Sequence, residues 1–546
     1  MPFAVTIMAR LAKEGQSTVK ELIVAWSENG SDILPDHHEQ NINRSISLSI
    51  DSNLMKQNPQ ARLLLNILSC LPAGTLKAAL CWWVPAPHSS MVPSAIATLS
   101  KTGLLIENQR QDSDSPVLFV LPVFQSSMQQ HGRIGKETWK NIRISCSQYI
   151  LDHVPRQNNP TLSKVKALAA EDVNIQAILC SSPTTQHSNM LSDKSIEALI
   201  YFNWYRCNNK PNVEIAKHAV SMAKAFGYKR YVALSLWCLG TTYGHLGDFY
   251  AGYDHVQEAY RLFNALLPGN RELQRLCCRC GNSMVEGARL TFKDSGKVVS
   301  LARDVEKQAA TVSDDDIHAT SLVILGRVLN NHGDRQEALR HLECAKQMRI
   351  GTLRYHVYYV IVYEHYHEKR LPEALDAAEE AWKLSEPDNN LVAQAQISSL
   401  LVMILFSANR DTEAWKYMEI SLTKNLELGN RLDSAFTLEY MGYGYFRRGD
   451  YINAYSAYKA AVESYLGTVD DEPHCTRCKD NMARIKDMLR NPDLNIGFER
   501  PREDINWPTL FYPGAVLSRT ECFKTGPSDP SLTSTPTIWY TGTRCD

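Results

Sequence analysis

One short stretch carries residue types that bind metals, Glu364-His365-Tyr366-His367-Glu368. If the stretch is helical, Glu364, His367 and Glu368 share one face, and carboxylate and imidazole groups are ligands for zinc. The stretch lacks the two histidines four positions apart that mark a zinc protease. We therefore interpret it as a solvated helix face and predict no metal site there.

The other reactive side chains have no spacing typical of a catalytic or metal centre. Cys475 and Cys478 are separated by two residues, and Cys277, Cys278 and Cys280 form a second group, but neither has a further Cys or His pair at a zinc-like spacing. The sequence contains neither the G-x-S-x-G turn of a serine hydrolase nor the G-x-x-x-x-G-K-S/T loop that binds phosphates. We therefore predict no catalytic residues, no cofactor, no metal and no enzyme activity.

The elements that position these side chains are helical hairpins, and the clearest one is residues 438–465. Apolar residues recur three or four positions apart on both sides of a Gly-Asp break, which predicts two amphipathic helices of about a dozen residues. Gly442 and Ala454 are small enough for the two helices to approach closely, with tyrosines such as Tyr458 filling the space around them. A hairpin of this size cannot bury its apolar face alone, so it predicts a stack of such units.

The same spacing recurs through residues 196–491. It is clear around Gly240 and Gly326 and weaker elsewhere. Successive copies are about 36 to 47 residues apart, slightly longer than the usual tetratricopeptide period of about 34. The pattern resembles the tetratricopeptide repeat (TPR), with about seven units. The more charged segment from Cys475 to Asn491 is predicted to be the capping helix, because a terminal repeat needs a polar outer face.

A different order of elements precedes the repeats, in residues 30–135. A helix is predicted to begin at Asn58, followed by helices over Leu76–Trp83 and Val92–Thr102. Two short apolar strands follow, on either side of a polar turn at residues 109–116. Three helices and then two strands are the order of a winged helix.

This region and the residues before it resemble the NB-ARC signalling ATPases of the STAND class. Met1-Pro2-Phe3-Ala4 is similar to the family's Gly-Leu-Pro-Leu-Ala motif, and Ala61–Leu71 is similar to its L-L-x-x-L-S-x-F-P-x-G segment. The resemblance implies that residues 1–29 are a remnant of the family's helical subdomain, which closes over a nucleotide held by a P-loop domain. Because the sequence contains no P-loop motif, we expect that domain to be absent here. At the place that matches the family's Met-His-Asp motif, whose histidine reaches the β-phosphate, this sequence has Leu121-Pro122-Val123.

The first helices of the predicted pairs line the inner wall of the superhelix. Residues there that lie off the core stripe combine aromatic, Arg and amide groups, which binding surfaces favour. For any of the aromatic residues, packing against a neighbouring helix is the alternative interpretation. We predict that a protein or peptide binds in this groove, at Trp237, Arg327, Asn331, Tyr359, Tyr363, His367, Tyr440, Tyr443 and Arg447.

Composition argues against other partners. A net charge of −1 gives no basic surface for nucleic acid or anionic membrane, and the candidate recognition helix Val92–Thr102 has Lys101 as its only basic residue. No apolar run reaches the roughly 18 residues that span a bilayer, and the first residues lack the basic start of a signal peptide. We predict a cytoplasmic protein that binds neither membrane nor nucleic acid.

The predicted fold is mainly α. It consists of a winged-helix domain (30–135), connecting helices (136–195), an α-α superhelical TPR solenoid with its cap (196–491) and a disordered Pro/Ser/Thr-rich tail (492–546). The predicted function is a non-catalytic interaction or scaffold module, the sensor and repeat half of a truncated STAND-type regulator, with a full-length STAND relative as a second candidate partner. Two alternatives remain: an ATP/ADP-dependent STAND switch whose core another chain supplies, and a winged-helix DNA-binding regulator.

Overall fold

The computed structural model describes residues 49–84, 91–109, 115–130, 134–154, 162–180, 193–207, 210–266, 270–348, 354–386, 390–466 and 471–490, and these are mostly helical. Three predictions concern residues outside these ranges. They are the helical-subdomain remnant over residues 1–29, its Met1-Pro2-Phe3-Ala4 motif and the disordered tail over 492–546.

The first part of the chain combines short helices with a small sheet. Its strands have the order β1-β3-β2, and both strand pairs are antiparallel, with Thr75 opposite Leu118 and Ile106 opposite Phe119. The elements are α1 Asn53–Gln57, α2 Pro59–Ser69, β1 Thr75–Leu76, a 3-10 turn at Lys77–Ala79, α3 Leu80–Trp83, α4 Val92–Lys101, β2 Ile106–Asn108, β3 Val117–Phe119 and α5 Pro122–Gln130.

The predicted helix over residues 76–83 is wrong in its first half. Leu76 belongs to β1 and pairs with Val117, which is far away in the sequence, so a local pattern carries no signal for it. The turn before β1 needs a glycine, because Gly74 has φ +67° and a Cβ there would lie 2.6 Å from the backbone oxygen of Leu118.

Two longer helices, α6 Lys136–His153 and α7 Leu162–Cys180, connect this part to the repeats. The Asn174 side chain donates to Gly74 O at 2.7 Å and accepts from Ala73 N at 3.0 Å. Thr75 Oγ1 donates to Glu171 Oε1 at 2.6 Å. One contiguous hydrophobic cluster extends from Ile50 to Ala338. The small sheet and the first repeats therefore share a core and are joined by buried polar contacts.

Seven helical pairs follow within the described residues, and each packs against the next. A last helix, α22 Asp471–Arg490, covers the final pair. The pairs are α8 Asp193–Cys207 with α9 Val213–Phe226, α10 Lys229–His245 with α11 Phe249–Leu266, α12 Arg271–Thr291 with α13 Ser295–Ala310, α14 Asp315–His332 with α15 Arg335–Gln347, α16 Arg354–His367 with α17 Leu371–Ser385, α18 Leu391–Ser407 with α19 Asp411–Leu428, and α20 Arg431–Arg447 with α21 Tyr451–Tyr465.

Local sequence signals set many of these helix boundaries. An asparagine side chain accepts hydrogen bonds from first-turn backbone N–H groups at the start of four helices, which satisfies donors that have no partner within the helix. Glycine with positive φ ends three helices, because this backbone conformation disfavours other residues. The caps are Asn212, Asn270, Asn390 and Asn430, and the terminal glycines are Gly227, Gly333 and Gly429.

Close approach of the helices in a pair depends on small residues. A Cβ at Gly442 would lie 2.8 Å from the ring of Tyr458, which confirms the prediction that glycine lets α20 and α21 approach around tyrosine. The most apolar helix, α18, is buried on nearly all sides because it lies within the stack. In the part of the chain that the structure describes, no helix is both long and apolar enough to cross a membrane.

Candidate functional site

The first helices of the pairs, which we predict to line the inner wall, form one continuous layer of the stack. Each of these helices from α8 to α18 contacts the first helix of the next pair as well as its own partner. Residues on consecutive first helices therefore become neighbours although they are one repeat apart in the sequence. All nine residues predicted to form the groove lie on these first helices.

Most of the nine predicted residues are buried rather than exposed in the groove. Those with less than a tenth of their surface exposed are Trp237, Arg327, Tyr359, Tyr363 and Tyr440. Tyr443 is half-buried, and the exposed residues are Asn331, His367 and Arg447. The structure brings Tyr363 and His367 together on α16, with ring centroids 4.3 Å apart, and Arg447 over the ring of Tyr443 on α20, at 5.9 Å.

The buried aromatic residues pack between helices. Trp237 makes edge contacts with Trp204 and Phe263, and its indole N–H donates to Ser283 Oγ at 3.0 Å. Tyr440 stacks on Phe406 of the neighbouring first helix. These side chains therefore stiffen the wall, and the exposed residues are the ones available to a ligand.

Arg327 is part of a buried charged cluster that joins α12 and α14. Its Nη1 donates to Glu286 Oε1 at 3.1 Å, and Arg289 Nε donates to Glu286 Oε2 at 3.0 Å. Burial alone would raise the pKa of Glu286, but Arg327 and Arg289 together hold it below its usual value. Glu286 is therefore ionised and ties the two helices together.

The cluster continues to α16 through Glu364. Asn330 Nδ2 donates to a carboxylate oxygen of Glu364, which has only 8% of its surface exposed. Burial raises the pKa of Glu364, against the opposing effects of Arg327 and of the Asn330 hydrogen bond. The interpretation of residues 364–368 as a solvated face is therefore wrong for Glu364, because the neighbouring first helix covers it.

Within the rest of this stretch, Tyr366 is also buried, and its hydroxyl lies 2.8 Å from Ser407 Oγ. Glu368 Oε2 accepts from Arg370 Nε at 2.7 Å, and His367 is exposed. Among the residues described, no group of three or more His, Cys, Asp or Glu side chains is arranged to hold a metal ion. The charged side chains of this stretch therefore form contacts within and between helices rather than a metal site.

Sequence reasoning missed Glu286, Arg289 and the burial of Glu364. A signal was present, since Glu286 and Arg327 are 41 residues apart, which lies within the repeat interval. Opposite charges at equivalent positions of successive repeats meet across neighbouring first helices. A search for such pairs at the repeat interval would have found this contact.

Further along the wall, a small recess lies between α16, α18 and α20. It contains one carboxylate, one amide and two aromatic rings. The lining residues are Tyr359, Gln396, Ser399, Leu400, Asp433 and Phe436. Only Tyr359 among them was predicted from the sequence to belong to the groove. The recess thus adds a polar pocket to the same wall.

Comparison with known proteins found similarity only to solved structures, at low sequence identity. No family model matches the sequence, and no curated protein matches it. A STAND protein with a tetratricopeptide repeat sensor from Pyrococcus horikoshii is 12% identical, and the match covers 85% of this chain and 72% of that one with a TM-score of 0.33. A Rap protein complexed with Competence and Sporulation Factor is 12% identical, with coverages of 67% and 92% and a TM-score of 0.36. Yeast Tom70 is 11% identical, with coverages of 83% and 86% and a TM-score of 0.37. These neighbours are TPR-like helical repeat proteins. At this level of similarity, what the chain binds has to be argued from its own residues.

Proposed function

We propose that this chain is a non-catalytic interaction module that holds an extended segment of a partner protein along the inner wall of its helical stack. The observation that carries the proposal is the buried charged cluster of Glu286, Arg327 and Glu364. Together with Asn330, which donates to Glu364, it ties three consecutive first helices to one another, so the wall has a defined shape before any ligand arrives. A preorganised surface loses less entropy on binding, and this favours affinity.

The exposed residues supply the contacts that such a segment needs. Asn331 offers amide donors and acceptors, and His367 and Arg447 offer imidazole and guanidinium groups beside tyrosine rings. Arginine and tyrosine are enriched among the residues that dominate protein interfaces. The proposed contact set is therefore narrower than the nine residues predicted from the sequence.

We assign the N-terminal part to a winged helix of the STAND type. The antiparallel β1-β3-β2 sheet beside α2, α3 and α4 supports this assignment, together with the sequence resemblance over Ala61–Leu71. Under this proposal the repeats form the sensor of a signalling regulator. The winged helix transmits the state of the sensor through α7, which contacts both parts.

Selection from a displayed random-peptide library tests the interaction proposal. The immobilised full chain is compared with a groove variant, Asn331→Ala/His367→Ala/Arg447→Ala, and with an outer variant, Lys346→Ala/Glu380→Ala/Lys383→Ala, on second helices α15 and α17. We expect peptides selected on the wild type to bind the outer variant equally and the groove variant at least about tenfold more weakly. Failure to select any peptide, or equal losses in both variants, would contradict the proposal.

A further inference from the structure

The recess between α16, α18 and α20 contains a buried carboxylate that the fold satisfies only in part. Asp433 has 7% of its surface exposed, and the Asn430 side chain makes the one hydrogen bond that the described residues donate to its carboxylate. This contact belongs to the start of α20, where Asn430 Oδ1 also accepts from Asp433 N at 3.3 Å. Helix capping thus occupies one carboxylate oxygen of Asp433.

A second acceptor lines the same recess. The side-chain oxygen of Gln396 is buried and has no hydrogen-bond partner within the described part of the chain. The nearby Ser399 hydroxyl is engaged, because it lies 3.0 Å from Ala395 O and 2.8 Å from Ser421 Oγ. A buried acceptor without a partner is costly, so a donor arriving from outside would be stabilised there.

The remaining walls of the recess suit a positive charge. The rings of Tyr359 and Phe436 line it together with Leu400. Aromatic faces attract ammonium and guanidinium groups, and a cation–carboxylate hydrogen bond is about twice as strong as a neutral one. An anion would meet the Asp433 carboxylate, and a purely apolar group would leave both acceptors unsatisfied.

We propose that this recess receives a cationic side chain, lysine or arginine, of a peptide segment held along the inner wall. The inference rests on the proposed function and adds the ligand chemistry at one position. The cationic group donates to Asp433 and to Gln396, which come from neighbouring first helices α20 and α18. This pocket therefore selects which residue of the partner sits at this point of the groove.

The test uses the full chain and dye-labelled hexapeptides in fluorescence anisotropy at 0.15 M salt. The probes are N-acetylated hexalysine, hexaarginine and hexaglutamine, together with hexaglutamine that has a free N-terminus. Asp433→Asn keeps the size and the capping contact, and the matched control Glu380→Gln removes an exposed carboxylate on α17. We expect hexalysine or hexaarginine to bind the wild type and the control equally, and Asp433→Asn at least about tenfold more weakly.

Several outcomes would overturn the inference. Asp433→Asn and Glu380→Gln could bind the cationic hexapeptides as tightly as the wild type, or both variants could lose the same affinity. The third such outcome is that the wild type binds neither cationic hexapeptide. Binding of only the hexaglutamine with a free N-terminus would assign the recess to a terminal amine instead. If Asp433→Asn does not fold, the Gln396→Leu variant is measured instead. Weaker binding of the cationic hexapeptides to this variant supports the inference, and unchanged binding overturns it. If the library selection succeeds while these tests fail, the proposed function stands without this pocket.

Discussion

Two carboxylates on the same helix, α20, have opposite surroundings although both are buried. Glu439 is fully buried and accepts from Arg477 Nη2 at 2.8 Å and from the Tyr465 hydroxyl at 2.8 Å. Asp433, six residues earlier, accepts only from Asn430 among the described residues. The two positions therefore differ in the number of donors rather than in the depth of burial.

The difference in donors reverses the direction of the pKa shift. Burial alone would raise the pKa of Glu439, but hydrogen bonds from His474 and Arg477 hold it below its usual value. For Asp433, burial raises the pKa from 3.8 to about 7 despite the Asn430 hydrogen bond. Glu439 is therefore satisfied within the protein and fixes the capping helix α22. Asp433 is suited to an external donor.

The largest expected effect comes from breaking the Glu439 contact. Arg477→Met leaves Glu439 buried without its main cationic partner, so we expect the C-terminal pair and α22 to lose about 3–5 kcal/mol of unfolding free energy. Hydrogen exchange of α21 and α22 measures this loss directly. Lys479→Met, an exposed position on the same helix, is the control. Equal effects of the two substitutions would show that Glu439 does not depend on Arg477.

Asp433 should make stability fall as the pH rises. The folded protein keeps a proton on Asp433 that the unfolded chain releases, so its contribution is complete below pH 4 and is lost as the pH rises through about 7. We expect the wild type to lose about 4 kcal/mol relative to Asp433→Asn between pH 4 and 8. Urea unfolding of both proteins across this range measures the difference. The titratable group facing Asp433 from α16 is Tyr359, whose pKa burial raises, so it stays neutral in this window. A difference that does not vary with pH would refute the prediction.

A double substitution tests whether Glu439 and Arg477 stabilise the fold through a direct interaction. Glu439→Gln/Arg477→Met removes both charges and avoids an isolated buried ion. We expect it to lose about 2 kcal/mol less than the sum of the two single substitutions, because the residues interact directly. The same hydrogen-exchange experiment provides the three values. Additive losses would mean that the two residues act independently.

The smallest effect on stability is expected at Arg447. Its ion pair with Asp411, at 2.9 Å, is partly exposed, so Arg447→Met should lower the unfolding free energy by less than about 1 kcal/mol. Peptide binding should weaken several-fold, since Arg447 is one of the exposed residues of the wall. Thermal unfolding and anisotropy on the same samples separate the two effects. A large loss of stability with unchanged binding would assign Arg447 to the fold alone.

Local patterns in the sequence predict the helical pairs well. The hairpin of α20 and α21, its break at Gly449 and the approach at Gly442 all follow from spacing and residue size. The small sheet is harder, because the pairing of Leu76 with Val117 joins residues 41 positions apart, and no local pattern contains that contact.

The candidate site depends on contacts between repeats, and this limited its prediction. Glu286, Glu364 and Glu439 each have partners on a different helix, and an acidic residue on an amphipathic helix looks solvated when that helix is considered alone. Aromatic residues such as Trp237 were placed on the correct helices, but their exposure depended on neighbours from adjacent repeats. Periodicity predicts on which helix each of these residues lies, whereas the burial of its side chain depends on contacts with helices of adjacent repeats.

The most direct test of the central claim is hydrogen exchange of the full chain with and without a peptide selected on it. Our account predicts added protection on the first helices that form the inner wall, above all α14, α16, α18 and α20, with the second helices unchanged. Protection confined to second helices such as α15 and α17, or none anywhere while the peptide remains bound, would contradict binding along the inner wall.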